Sequence, residues 1–338
     1  MSKTDINTAI ALLEQKQKIV IVPHRNPDGD AMGSTLGLYA FLKKLGHEAT
    51  VVSPNEFPDF LAWLPDSDKV FIFERKPEKA TEILHQADLI FTLDFNALHR
   101  TGEVMESVLK ELKAPFLMID HHEKPDNYAT YMFSDTKYGS TCEMVYHFIE
   151  KMGYTNLIDK QTATCLYTGI VTDSGSFKYP STTSTTHRVV ADLIDKGVEN
   201  SKIHNLVFDS SSYNRLKLLG RALENMVVFP ELKTAYIHLS QKELEEFHFE
   251  RGDTEGVVNY PLMIKGIDFS VIFIENSAEE IVKISFRSQG DFDVNVFARN
   301  YFNGGGHKNA SGGRSKKGLA ETVQEFLKVI QNDNPAKL

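Results

Sequence analysis

Three strongly apolar runs in this chain stop against acid and imidazole. IVIV (19–22) leads into PHRNPDGDAMGS, which sets His24, Asp28 and Asp30 behind it; LIFTL (89–93) ends at Asp94; FLMI (116–119) ends at Asp120-His121-His122. Short runs this apolar are the pattern of strands buried on both faces, as in a parallel sheet covered by helices. ATVVS (49–53) and KVFIF (69–73) add two more such runs, and helix-like segments such as TLGLYAFLKKLG (35–46) and KATEILHQ (79–86) alternate with them. The expected first domain is therefore a Rossmann-like α/β unit over residues 1–190. In an open sheet of that kind the carboxyl ends of the strands share one edge, and ligands bind there. A fourth segment, the helix-like TCLYTGIV (164–171), ends at TDSG and delivers Asp173 to a polar stop.

The second half reads differently. TTHRVVADLIDKG (185–197), with a glycine stop at Gly197, and SKIHNLVFDSSSYNRLKLLGRALENM (201–226) are helical in pattern and predict a helical connection over 191–230. From 231 to 338, TAYIHLS, DFSVIFIEN and IVKISFRS read as strands, whereas DVNVFARNYF and AETVQEFLKVIQ read as helices, which predicts a smaller mixed α/β domain. The tail QNDNPAKL is expected to fray.

Composition narrows the function. With 46 Asp plus Glu against 37 Lys plus Arg, the formal charge is -9, which argues against a long nucleic acid gripped along a basic stripe but leaves room for a small anionic ligand. The chain shows no run long enough to span a bilayer and no cleavable leader, so a cytoplasmic protein without a membrane partner is expected. Cys142 and Cys165 lie in apolar, helix-like contexts without metal-ligand spacing and are read as reduced core thiols.

Carboxylates gathered on one edge repel each other and resist desolvation unless cations neutralise them. Imidazole nitrogen with several carboxylates and no thiolate suits Mn²⁺, Mg²⁺ or a similar ion better than structural zinc. Four or more acids with two histidines suffice for a pair of ions sharing one bridging carboxylate, an arrangement that activates water and clamps phosphate oxygens. Taken singly, the pieces are bland: His24 is an ordinary loop residue, Asn26 to Asp30 is turn chemistry, and Asp94 is a strand-end cap. A calcium loop fails in either register, since Ala31, Gly37 and Tyr39 fall where its glycine and acidic ligands belong.

In order, His24-x3-Asp28-x-Asp30-x2-Gly33-Ser34, Asp94, Asp120-His121-His122 and TGIVTDSGSF around Asp173 resemble the four motifs of the DHH phosphoesterase superfamily, and FNGGGHKNASGG resembles its DHHA1 signature. Within the superfamily, size and domain pairing are similar to the NrnA-type oligoribonucleases (nanoRNases) and 3'-phosphoadenosine 5'-phosphate (pAp) phosphatases. The resemblance implies a DHH catalytic domain, a DHHA1 substrate-binding domain and two Mn²⁺, with Mg²⁺ or Co²⁺ as substitutes. It implies that His24, Asp28 and Asp94 hold one ion and that Asp30, Asp94, His121 and Asp173 hold the other. His122 would face the substrate phosphate as a catalytic residue, with Asp120 orienting the histidine pair. Where family members often carry Thr, this chain has Ser174; where Ala-Ala-Gly is usual, it has Ala310-Ser311-Gly312.

Gly304-Gly305-Gly306-His307 permits close backbone approach and an anion-binding concavity, or is a flexible turn. It is neither a Walker A loop nor a dinucleotide fingerprint, because no Gly-Lys-Ser/Thr follows and Asn309 takes the third glycine's place. With the resemblance, these residues and Arg287 become the expected substrate contacts, Arg287 offering a fork for phosphate and otherwise a surface ion pair. Tyr301 or Phe302 either stacks on a base or packs in the core. The implied partners are short RNA or DNA oligonucleotides or pAp-like nucleotides; a homodimer is compatible with the sequence. A cyclic-di-AMP or linear-dinucleotide phosphodiesterase is the alternative within the superfamily, and a catalytically silent nucleotide-binding protein the alternative outside it.

Overall fold

The computed structural model describes residues 4–337. Its first six strands, β1 (Lys18–Pro23), β2 (Glu48–Ser53), β3 (Phe71–Ile72), β4 (Leu89–Leu93), β5 (Phe116–Asp120) and β6 (Tyr131–Ser134), form one sheet in the order β3-β2-β1-β4-β5-β6. Every pairing in it is parallel. Helices α1 (Ile6–Leu13), α2 (Gly29–Lys44), α3 (Pro77–His85), α4 (Glu103–Glu111), α5 (Thr141–Lys151), α6 (Lys160–Asp173), α7 (Ser184–Asp195) and α8 (Asn200–Phe208) belong to the same half. Alternate strand residues feed two cores: Ile19, Ile21, Phe91, Leu93 and Ile119 pack with α2, α5 and α6, whereas Val20, Val22, Ile90 and Met118 pack with α3 and α4. Burial on both faces explains the unbroken apolar runs.

The strand order reverses between β1 and β4. The chain leaves β1 toward β2 and β3 on one side and returns as β4 on the other, so the loops after β1 and β4 diverge and leave a crevice at their carboxyl ends. His24 follows β1 and Asp94 follows β4 directly.

Close approach of α2 and α6 shapes the floor of this crevice. Gly29, Gly33 and Gly37 share one face of α2 at four-residue spacing, and α6 answers with Gly169. A Cβ on Gly33 would lie 2.6 Å from the Cys165 carbonyl, and one on Gly169 would lie 2.1 Å from Cys142 Sγ and 2.7 Å from Asp30 Oδ1. Only bare backbone fits. Cys142 and Cys165 are buried, unbridged core thiols, as expected.

The chain divides into two compact units, Met1–Ser210 and Ser211–Leu338. The helical stretch expected over 191–230 holds the end of α7, then α8, then α9 (Tyr213–Glu224); α7 and α8 fall in the first unit and α9, capped by Ser212, in the second. The second unit holds β7 (Val227–Phe229), β8 (Thr234–Leu239), β9 (Phe269–Asn276), β10 (Ile281–Ser288), β11 (Gly305–His307) and β12 (Ala310–Ser315) in the order β11-β12-β10-β9-β8-β7. The β8-β9 pairing is parallel and the others are antiparallel, giving the mixed sheet expected. Helices α11 (Val294–Tyr301) and α12 (Leu319–Ile330) pack on one face through Phe297 and Phe326, and α9 with α10 (Gln241–Glu246) on the other through Leu218 and Leu244.

Two expectations need correction, and one open alternative is decided. KVFIF keeps only Phe71–Ile72 as strand, because Phe73–Arg75 coils into a single 3₁₀ turn. Of the two readings open for Phe302, core packing holds: it is buried against Phe286 and Phe297. The tail up to Lys337 is held rather than frayed: Asn334 is buried and its amide donates to the Ile330 carbonyl at 2.5 Å, and Pro335 is buried beside it. Leu338 lies outside the described residues.

Candidate metal centre

Each acid of the crevice is delivered by the end of a regular element, Asp28 and Asp30 by the same end of α2. Asp28 is the N-cap of α2; its Oδ1 accepts from the Asp30 and Ala31 amides, so that oxygen serves the helix and Oδ2 faces His24 Nε2 at 4.0 Å. Asp30 sits one residue into α2 and is 1% exposed. Asp120 closes β5 and Asp173 closes α6. Asp94 adopts a left-handed backbone at φ 66°, an unusual conformation for a side-chain-bearing residue that concentrates at functional positions.

Asp94 organises the cluster. Its Oδ2 lies 3.4 Å from His24 Nε2, and its Oδ1 lies 3.5 Å from His121 Nε2 and 3.9 Å from His122 Nδ1. His121 Nε2 is also 3.5 Å from Asp173 Oδ2 and 4.0 Å from Asp30 Oδ2. Ligand atoms of His24, Asp28 and Asp94 fall within 4.8 Å of one another, as do those of Asp30, Asp94 and His121, so the two groups share one carboxylate. His24 Nδ1 donates to the Arg25 carbonyl at 2.9 Å, so that in the neutral ring the lone pair falls on Nε2, facing the acids. His122 Nδ1 donates to Asp120 Oδ1 at 2.7 Å, while Asp120 Oδ2 is buried without a hydrogen-bond partner among the described residues.

Electrostatics show a surplus of negative charge. Burial raises Asp94, yet hydrogen bonds from His121 and His24 outweigh it and hold the carboxyl well below its usual range. Burial, reinforced by repulsion from Asp94 and Asp173, drives Asp30 well above that range. Asp173 is pushed up to about 7, chiefly by burial, with His121 opposing and Asp28 and Asp94 adding to it. Burial alone would lower His121 and His24, but their bonds to Asp94 raise both, His121 strongly. Without a cation the crevice keeps its acids together by holding protons on histidine and carboxyl. A nitrogen-and-oxygen donor set sharing one carboxylate fits a pair of hard divalent ions that would take the place of those protons.

The sequence did not reveal what α5 contributes. Its first two amides, on Thr141 and Cys142, donate to Asp30 Oδ2 at 2.6 Å and Oδ1 at 2.9 Å, and the Thr141 hydroxyl donates to Asp94 Oδ1 at 2.9 Å. Ser140-x-x-Glu143 was a legible cap signal, and Ser140 does cap α5, but what that helix end faces is a tertiary fact. Asn55 was also missed. It accepts from the Asn26 amide and donates to its side chain, pinning the left-handed Asn26 between His24 and Asp28.

Arg287 and the glycine segment lie in the second unit. Arg287 pairs in register with Ser270 and Ala310 and donates from Nη1 to the Phe286 carbonyl. Gly305–His307 is a strand hairpinned onto β12, not a loose turn. The Gly304 amide donates to Ala298, and the Gly306 amide donates to Asn295 Oδ1. Two of the amides expected to face an anion are therefore spent inside the fold. The glycines serve packing: a Cβ on Gly304 would sit 1.9 Å from the Gly312 carbonyl. Ser311, the departure noted in sequence, donates its hydroxyl to the His307 carbonyl at 2.9 Å.

The DHH family N-terminal domain matches residues 18–170, and the DHHA1 domain matches residues 233–333. A bifunctional oligoribonuclease and PAP phosphatase NrnA from Thermus thermophilus is 32% identical over 93% of this chain and 88% of its own. The chain belongs to the DHH phosphoesterase family, as an NrnA-type member. It is similar along nearly its whole length to a solved exopolyphosphatase-related protein from Bacteroides fragilis, with 40% identity, a TM-score of 0.94 and coverage of 98% and 97% of the two chains. The fold extends to RecJ from Thermus thermophilus solved with Mn²⁺, at 15% identity and a TM-score of 0.52, covering 96% of this chain and 54% of that one. No helix among the described residues is long and apolar enough to cross a membrane.

Proposed function

We propose that this chain is a cytoplasmic Mn²⁺-dependent phosphoesterase that uses two ions to hydrolyse very short oligoribonucleotides and pAp-like nucleotides. The observation that carries this reading is the division of Asp94, one oxygen toward His24 and the other toward His121. His24, Asp28 and Asp94 would hold one ion; Asp30, Asp94, His121 and Asp173 would hold the other. Bound there, the pair would supply an activated water and neutralise phosphate oxygens. Asp120 keeps the proton on His122 Nδ1, leaving Nε2 as the ring atom to meet a substrate oxygen. The names of the relatives support the substrate class, and the charge of -9 supports short over long strands.

In this proposal Arg287 and His307 of the second domain recognise the substrate while the first domain does the chemistry. Product analysis with Mn²⁺ over pAp, dinucleotides, short RNA, long RNA, cyclic di-AMP, polyphosphate and pyrophosphate tests it. The expected result is preferential turnover of pAp and the shortest oligoribonucleotides; preference for long RNA or polyphosphate would overturn the substrate assignment. Arg287→Ala and His307→Ala should weaken nucleotide binding while leaving metal occupancy intact.

A further inference from the structure

The cluster is not served evenly by its surroundings. All three donors from the start of α5 reach one side of it: the Thr141 and Cys142 amides take both oxygens of Asp30, and the Thr141 hydroxyl takes Asp94 Oδ1, the oxygen that faces His121. Asp94 Oδ2 faces His24 instead, and Asp28 is oriented by the amides of its own helix. A carboxylate turns easily about its last torsion, because that torsion lacks the three sharp wells of a saturated bond. For Asp94 to keep one oxygen on each histidine, something must fix that turn. Thr141 is fully buried, its hydroxyl is 2.9 Å from Oδ1, and the helix it opens is 11 residues long and capped by Ser140.

We propose that Thr141 is a positioning residue that fixes the plane of Asp94 and holds Oδ1 toward His121, so that its loss weakens the ion beside His121, Asp30 and Asp173 more than the ion beside His24 and Asp28. This rests on the two-ion reading above. Partners that orient a metal-binding carboxylate commonly control affinity by 10- to 100-fold when removed. Both oxygens turn together, but the hydroxyl bonds Oδ1 alone, so the ion on that side loses the more.

The test titrates Mn²⁺ into the metal-free full chain by calorimetry and locates the ions by anomalous scattering, for wild type, Thr141→Val and Thr141→Ser. Valine keeps the shape and drops the hydroxyl; serine keeps the hydroxyl. The expected result for Thr141→Val is about 10- to 100-fold weaker binding of the ion beside His121, with a smaller loss at the ion beside His24. The Mn²⁺ concentration for half-maximal turnover should rise in step, while kcat at saturating Mn²⁺ recovers, and Thr141→Ser should restore wild-type affinity. Thr141→Ala serves the same comparison if the valine variant does not fold. Equal weakening of both ions, no change in either, or a serine variant as weak as valine would overturn the assignment. Two ions in wild type with unchanged Thr141→Val would remove this inference alone, whereas a single ion in wild type would remove the two-ion reading with it.

Discussion

The two sheets of this protein carry polar signature residues in opposite ways. At the carboxyl edge of the parallel sheet, His24, Asp94 and Asp120 sit where strands end, and the architecture leaves their side chains facing a crevice. In the mixed sheet, the glycine signature is itself a strand, with the amides of Gly304 and Gly306 already bonded to Ala298 and Asn295. A parallel sheet whose order reverses makes a site out of chain topology, so residues a hundred positions apart meet there. Here the glycine segment gives two of its backbone donors to α11, so in the proposed function recognition falls to side chains such as His307 and Arg287.

The sharpest way to break this comparison is to remove the shared carboxylate. Asp94→Asn should abolish binding of both ions and cost roughly a thousandfold or more in turnover, since several kcal/mol of metal assistance is lost at about 1.36 kcal/mol per tenfold. Asp30→Asn should lose only the ion beside His121. Metal content and single-turnover rates on folded variants check both; near-wild-type turnover in either variant would redraw the ligand set.

Glycine substitutions probe the second difference. Gly169→Ala places a methyl against Cys142 Sγ and Asp30 Oδ1, so it should destabilise the first unit by about 1–3 kcal/mol and weaken metal binding as well. Gly304→Ala meets backbone at Gly312 and should destabilise by a similar amount of about 1–3 kcal/mol with Mn²⁺ affinity unchanged. Thermal unfolding paired with Mn²⁺ titration separates the two outcomes.

The alternation of buried strands with helices made the first fold readable, and the acids stood out because nothing apolar explains them at strand ends. β6 (Tyr131–Ser134) escaped because four residues are too few to show a period, and it pairs with β5 alone. The α2–α6 contact escaped because a glycine every four residues names no partner helix until the fold supplies Gly169 and Cys165 opposite it. Thr141 escaped for the same reason: a threonine at the start of a helix is ordinary until Asp94 is beside it. Phe302 shows the converse, an aromatic next to a signature that turned out to be core.

The smallest expected effect concerns pH in the first unit, away from the ligands. Burial lowers the His47 imidazole from its ordinary value, and its Nδ1 has no hydrogen-bond partner among the described residues. The fold therefore favours neutral His47, and its contribution is present above the unfolded-state pKa of about 6.5 and lost as pH falls below it. His47→Gln should flatten the decline in stability as pH falls below about 6.5, changing Tm by at most about 2–4 °C, read by calorimetry on metal-free protein. An unaltered decline would mean that His47 is not among the groups responsible.

The central claim is that acids at strand and helix ends form one centre for two ions with Asp94 between them. Anomalous scattering from crystals equilibrated with Mn²⁺ tests it most directly. The account predicts two peaks about 3.5–4 Å apart, one beside His24 and Asp28 and the other beside Asp30, His121 and Asp173, each touching a different oxygen of Asp94. A single peak at saturating Mn²⁺, or two peaks that do not share Asp94, would contradict it.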